Sequence, residues 1–244
     1  MNGFCKNIYC FRNQFKPENI IDIGVPDLIF KTMRPLVNCV LILTVILLSS
    51  QSTGVQENLD KKLWYQCELE KLAMDFYDAM YEKWDLISFR NLSRSEEQHT
   101  ECIQLLIKEV GNPALVDLQP AGKFKHKDLQ DLYEKVMKLG NESVDKAFIA
   151  SANLEEKNIK DVETLLTLSD NEDYQIALNK LFNSSKCHLN VMVCQLKNKG
   201  IGYKPVLLTL NEYINCLETT PGDVDAKLTD CPEMEYDCPF KDNF

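Results

Sequence analysis

Glu96 and His99 stand three residues apart inside the run Leu92, Glu96, His99, Ile103, Leu106, Val110, whose alternating steps of four and three place all six on one face of a helix. Its apolar members mark that face as the one turned into the protein. An ionised carboxylate there must be paired or liganded, because leaving it alone costs several kcal/mol or drives it to neutrality. Glu and His at i and i+3 grip one cation from a single helix, as in di-metal carboxylate bundles. The competing explanation is a private hydrogen bond between a core histidine and a buried glutamate. The choice between the two turns on whether other helices aim similar residues at the same point.

The elements that would position them follow from the apolar pattern. Residues 61–84 read as a helix, with Leu63, Cys67, Glu70, Met74, Tyr77, Tyr81 and Trp84 on one stripe and Leu69, Leu72, Phe76 and Met80 beside it. A face that wide is covered by more than one neighbour. Asp85 breaks the pattern, and a second helix runs from about Leu86 to Val110, where Gly111-Asn112-Pro113 stops it. A long connection containing Pro113, Pro120 and Gly122 leads to a short helix, His126 to Leu139, ended by Gly140. The third long helix spans about Glu142 to Leu168, with Phe148, Ala152, Glu155, Ile159, Val162 and Leu166 on one stripe. After the turn Ser169-Asp170-Asn171, the fourth runs from about Glu172 to Lys199 with Leu178, Leu181, Ser185, His188 and Met192 inward, closing at Gly200 and Gly202. Tyr203 to Glu218 reads as an ordered tail. There is no solenoid-type repeat and no strand-rich region.

Short, long, short is the order of connections in an all-α, ferritin-like four-helix bundle with a long crossover between helices 2 and 3. Counted from the hairpin turns, Glu70 lies fifteen residues before Asp85 and His99 fourteen after it; Glu155 lies fifteen before Asp170, and Ser185 and His188 fifteen and eighteen after. At about 1.5 Å per residue all of these fall roughly 21 to 27 Å from their turns, near mid-height. Glu70, Glu96, His99, Glu155 and His188 therefore converge on one level, and two of the chain's three histidines are among them. A carboxylate-rich site with imidazoles suits iron or manganese, with zinc possible. Helix phase leaves Glu156 as an alternative ligand to Glu155. Tyr77 and Ser185 are candidates for orienting the ligands, as are Asp75 and Asp161.

The 45% hydrophobic content over 244 residues is enough to bury a core. The segment Leu36 to Leu48, preceded by Met33-Arg34-Pro35 and followed by Ser49-Ser50-Gln51-Ser52-Thr53-Gly54, has a signal peptide's anatomy and is short for a membrane span. The expected organisation is an upstream extension or cytoplasmic tail over 1–32, a signal peptide over 33–54, a helical domain over 60–218 and an acidic, cysteine-containing tail over 219–244. Secretion is the expected location, with a signal-anchored membrane protein as the alternative. The first 52 residues carry five Lys/Arg against three Asp/Glu, so the rest carries −12 against an overall −10. Such a chain repels phosphate backbones, which excludes nucleic acid and favours a metal ion as partner. Sequons at Asn91, Asn141 and Asn183 suit a glycoprotein. Seven cysteines follow the signal, and Cys231 and Cys238 are expected in disulfides.

Glu70-Lys71-Leu72-Ala73 with Tyr77, Tyr81-Glu82-Lys83-Trp84, Ser95-Glu96 with His99, Leu154-Glu155-Glu156 with Ile159, and Ser185 with His188-Leu189 together resemble a mostly microbial, ferritin-like family known as a domain of unknown function. The resemblance covers about Leu63 to Glu218. The Glu70-x-x-Ala73 spacing with Tyr77 is similar to the first helix of rubrerythrins, and Glu96-x-x-His99 to their second. The resemblance implies a bundle with a di-iron-type site and supplies no activity. One departure stands out: Ser185-x-x-His188 occupies the place where such proteins usually carry Glu-x-x-His. Asn158 also stands where related chains lead one to expect an acid. These departures point to a reduced metal site. The two functions compatible with the sequence are a metal-dependent redox protein, with oxygen or peroxide at an open position, and a helical binding module that is metal-free or structurally metallated. No phosphate-binding loop or nucleophile elbow supports another chemistry, and no catalytic residue is assigned.

Overall fold

A computed structural model describes residues 59–109 and 117–218. The expected extension, signal peptide and acidic tail, with Cys231 and Cys238, lie outside the described residues, as does the helix stop at Gly111-Asn112-Pro113. Among the described residues the protein is all-helical, with six helices and no strand. Helix α1 covers 59–84, α2 Ile87–Glu109, α3 Lys127–Gly140, α4 Val144–Leu166, α5 Glu172–Asn198 and α6 Leu210–Glu218. No described helix is long and apolar enough to cross a membrane.

The ends of these helices follow from local chemistry. Asp85 takes a positive φ of 50° at the α1–α2 turn, and its N–H donates to the Tyr81 carbonyl at 2.8 Å. Ser143 caps α4 by accepting from the Lys146 N–H, and Asn171 caps α5 by accepting from the Tyr174 N–H. The tail expected after Gly202 contains α6, started by a reciprocal capping box. Thr209 N–H donates to Glu212 Oε2 at 2.7 Å, and Glu212 N–H donates to Thr209 Oγ1 at 3.3 Å. The Thr209-Leu210-Asn211-Glu212 pattern was the available signal for that helix.

Two apolar cores divide the long helices between them. One gathers Leu72, Phe76 and Met80 of α1, Phe89 and Leu92 of α2, Phe148 and Leu154 of α4, and Met192 and Leu196 of α5. The other gathers Leu59 and Leu63 of α1, Ile103, Leu106 and Ile107 of α2, Val162 and Leu165 of α4, and Leu178 and Leu181 of α5. Each fully buried aliphatic side chain contributes about 1.5 to 3 kcal/mol. Every long helix thus leaves one core, passes a middle level and enters the other. Along the chain, α1 and α5 run from the second core to the first, whereas α2 and α4 run from the first to the second.

Because α2 and α4 run the same way, the chain must travel back between them, and α3 does this along α1. At its start, the buried Glu68 carboxylate accepts from the N–H groups of Lys125 and His126 at 2.9 and 3.0 Å. At its end, the Gly140 carbonyl accepts from Trp84 Nε1 at 3.1 Å, and Lys83 Nζ donates to Asn141. Gly140 is the close-approach point. A Cβ there would meet Met80 Sδ at 2.7 Å and Phe76 Cε2 at 2.9 Å. Gly140→Ala is expected to cost about 1 to 3 kcal/mol by overpacking, read as a lower urea midpoint. An unchanged midpoint would show that this helix contact yields freely.

Candidate metal centre

The level between the two cores is polar. Glu70 of α1, Glu96 and His99 of α2, Glu155 of α4, and His188 of α5 meet there, each 3% exposed or less. At the centre is Glu96. Its Oε2 lies 2.7 Å from His99 Nδ1, and its Oε1 lies 2.8 Å from His188 Nδ1. Outside this axis, Glu70 Oε2 lies 3.5 Å from His99 Nδ1, and Glu155 Oε1 lies 3.5 Å from His188 Nδ1. The imidazoles are roughly stacked, with centroids 5.7 Å apart. Two donor sets result, Glu70–Glu96–His99 and Glu96–Glu155–His188, each with ligand atoms within 4.8 Å of one another, and Glu96 belongs to both.

Helical spacing also places the groups that hold these donors. Gln66, one turn before Glu70, donates from Nε2 to Glu70 Oε1 at 2.6 Å and to Asn158 Oδ1 at 3.2 Å. Asn158 Nδ2 in turn reaches Glu70 Oε2 at 3.4 Å. The Nε2 of His99 faces Ser95 Oγ at 3.5 Å, and the Nε2 of His188 faces Ser184 Oγ at 3.3 Å. Each histidine therefore turns Nδ1 toward the carboxylates and Nε2 toward a serine four residues earlier, a partnership that orients ligating imidazoles. The repeated Ser-x-x-x-His spacing was the sequence signal for Ser95 and Ser184. Tyr77, buried beside Phe89, donates its hydroxyl to Glu155 Oε1. Ser185 takes the position in α5 that Glu96 takes in α2. Its Oγ and Glu155 Oε2 are buried without a hydrogen-bond partner. Buried polar atoms in that condition are uncommon and fit a centre that accepts a further ligand.

The buried charges of the cluster shift one another's proton affinities. Burial pushes the Glu96 carboxyl up, but the flanking His99 and His188 outweigh it and hold Glu96 well below the usual carboxylate range. Burial pulls the imidazoles down, yet the Glu96 charge prevails, raising His99 to about 9 and His188 to about 10. Burial, then the charge of Glu96, lifts Glu70 to about 8 and also raises Glu155. Near neutral pH, protons on Glu70, His99 and His188 thus do the compensating. A cation would take their place, and the carboxylate-rich donor set with two imidazole nitrogens suits one chemically.

An all-helical domain with a buried, carboxylate-centred donor cluster is the class that this geometry defines. Residues 60–220 match the family described as uncharacterized protein domain DUF2202, and the chain belongs to that family. It is 32% identical over 146 residues to the uncharacterized protein MJ0754 of Methanocaldococcus jannaschii, covering 60% of this chain and 79% of that protein. The crystal structure of hypothetical protein MJ0754 from Methanococcus jannaschii is similar with a TM-score of 0.63 at 30% identity, over 66% of this chain and 91% of that one.

Several sequence candidates take other places. Glu156 is as buried as Glu155, but its carboxylate faces the chain after α5. There it accepts from Tyr203 Oη at 2.5 Å and from the N–H groups of Val206, Leu207 and Leu208 at 2.5 to 3.1 Å. Successive residues of α4 point about 100° apart, so only one of the two glutamates can join the cluster. Asp75 is held by Lys71 Nζ at 2.5 Å and the Gly122 N–H at 2.8 Å, and Asp161 by Lys157 Nζ at 2.7 Å, so neither orients the cluster. The sequon residues Asn91, Asn141 and Asn183 are all exposed. Among the described cysteines, Cys67 and Cys194 are free thiols. Glu156→Gln is expected to lower stability by about 1 to 3 kcal/mol through weakened charge-assisted hydrogen bonds, measured by chemical unfolding. Loss of metal content in the folded variant would contradict its purely structural place.

Proposed function

We propose that this is a secreted, ferritin-like four-helix bundle, with its long crossover between α2 and α4, that holds iron or manganese for redox chemistry with oxygen or peroxide. Glu70, Glu96 and His99 would hold one ion and Glu96, Glu155 and His188 a second, with Glu96 common to both; zinc suits the same donors. The observation that carries this reading is the sharing of one fully buried carboxylate between two donor sets. Three carboxylates in one dry level call for positive charge, which divalent ions supply. When bound, the metal supplies electron transfer and Lewis acidity. The chain's own part is to fix the donors: Gln66 and Asn158 steady Glu70, Ser95 and Ser184 orient the imidazoles, and Tyr77 holds Glu155. The small Ser185 leaves the side opposite its counterpart Glu96 without a second shared carboxylate, in keeping with a reduced form of the di-iron arrangement.

A second reading is favoured by the contacts of Glu96 to both histidines, which satisfy its charge without metal. The bundle would then be a helical binding module. Elemental analysis of purified protein separates the two. The proposal expects two metal ions per chain, loss of both in Glu96→Ala, and loss of one in each of His99→Ala and His188→Ala. Glu96→Gln with native helical circular dichroism guards against simple unfolding. Substoichiometric metal in the parent, unchanged in the variants, would sink the proposal.

Protons and metal compete for the same atoms. With Glu70 raised to about 8, His99 to about 9 and His188 to about 10, loading at pH 7 displaces protons, and affinity rises with pH through this range. Calorimetry in two buffers of different ionisation enthalpy should show net proton release. Heats independent of the buffer would mean that the metal binds elsewhere.

A further inference from the structure

A cavity of about 420 Å³ opens beside α1 and α4, and its wall includes Lys61, Lys62, Lys157, His126, Asp161 and Gln66. That volume is in the range of small-molecule sites. Its charge runs against the rest of the molecule: three lysines face one aspartate here, whereas the whole chain carries −10. The single aspartate is already paired, Asp161 with Lys157 Nζ at 2.7 Å. His126 is fixed by Glu68 Oε2 at 2.6 Å and packs its ring on Trp64 and Tyr65.

Gln66 gives the cavity its connection to the cluster. It is fully buried, lines the cavity, and donates from Nε2 to Glu70 Oε1 at 2.6 Å. Its own Oε1 is buried without a hydrogen-bond partner. No member of the two donor sets lines the cavity; Gln66 both lines it and bonds to Glu70. Turning Gln66 aside breaks its two Nε2 hydrogen bonds, to Glu70 Oε1 and Asn158 Oδ1.

We propose that this cavity is the entry by which a small anion reaches the metal centre, with the lysines attracting it and Gln66 gating the last step. The inference rests on the metal reading above. An entry of this polarity selects anionic ligands over the cations that the remaining surface attracts. Clefts of one charge sign raise association rates about 10- to 1,000-fold, and salt abolishes the gain.

The test uses azide as the probe and full-length protein loaded with iron(III), after metal content has been measured. Azide association is followed by its charge-transfer absorption in the parent and in Lys62→Glu/Lys157→Glu, which leaves all five donors and Gln66 in place. The expected result is equal metal content, association at least tenfold slower in the double variant at low ionic strength, and convergence of the rates at about 1 M salt. Equal rates at low salt with normal metal loading overturn the entry route while leaving the metal centre intact. A deficit unchanged at high salt overturns the electrostatic role of the lysines. A parent that takes up no metal overturns both the centre and its entry.

Discussion

A carboxylate removed completely from water must be neutralised by whatever surrounds it, and at Glu96 that constraint organises the middle of the molecule. Each oxygen of Glu96 faces the Nδ1 of a different histidine, at 2.7 and 2.8 Å, and those histidines come from different helices. Glu70 and Glu155 then stand one on either side. An isolated buried pair of charges contributes little stability by itself, and losing one partner costs several kcal/mol. The arrangement is therefore expensive as a mere structural device. The two apolar cores above and below it provide the stability that lets the polar level persist.

Much of this was legible because helices convert spacing into position. The three-four stripes of Leu92 to Leu106 and of Leu178 to Met192 marked the inward faces directly, and similar distances from Asp85 and Asp170 marked the common level. The choice between Glu155 and Glu156 was not legible. Both are fully buried, and only the fold of residues 203–208 over α4 reveals that Glu156 satisfies three backbone N–H groups there. Asp75 and Asp161 stand apart from the cluster for a similar reason, since each pairs with a lysine one turn before it on its own helix, Asp75 with the buried Lys71 and Asp161 with the part-buried Lys157. Helix α6 escaped notice because a nine-residue helix shows little periodicity, although its capping box was present in the sequence.

The two halves of the cluster are alike but unequal. Ser95, Glu96 and His99 correspond in spacing to Ser184, Ser185 and His188, and Glu70 corresponds to Glu155. Where α2 carries the Glu96 carboxylate, α5 carries the Ser185 hydroxyl, uncharged and buried without a hydrogen-bond partner. Two divalent cations held by three carboxylates would leave the centre net positive, which would favour an added anionic ligand. The cavity whose wall includes three lysines shares Gln66 with Glu70, a polarity that would suit the same need from the outside. Charge thus ties together Glu96, the uncharged Ser185 and the proposed entry.

The central claim is that Glu96 stands between two metal ions. Anomalous X-ray scattering from crystals of iron-loaded protein, recorded on both sides of the iron absorption edge, tests it most directly. The account predicts two anomalous peaks flanking the Glu96 carboxylate, one beside His99 and Glu70 and one beside His188 and Glu155. A map without peaks there, with both histidines still bonded to Glu96, would contradict it.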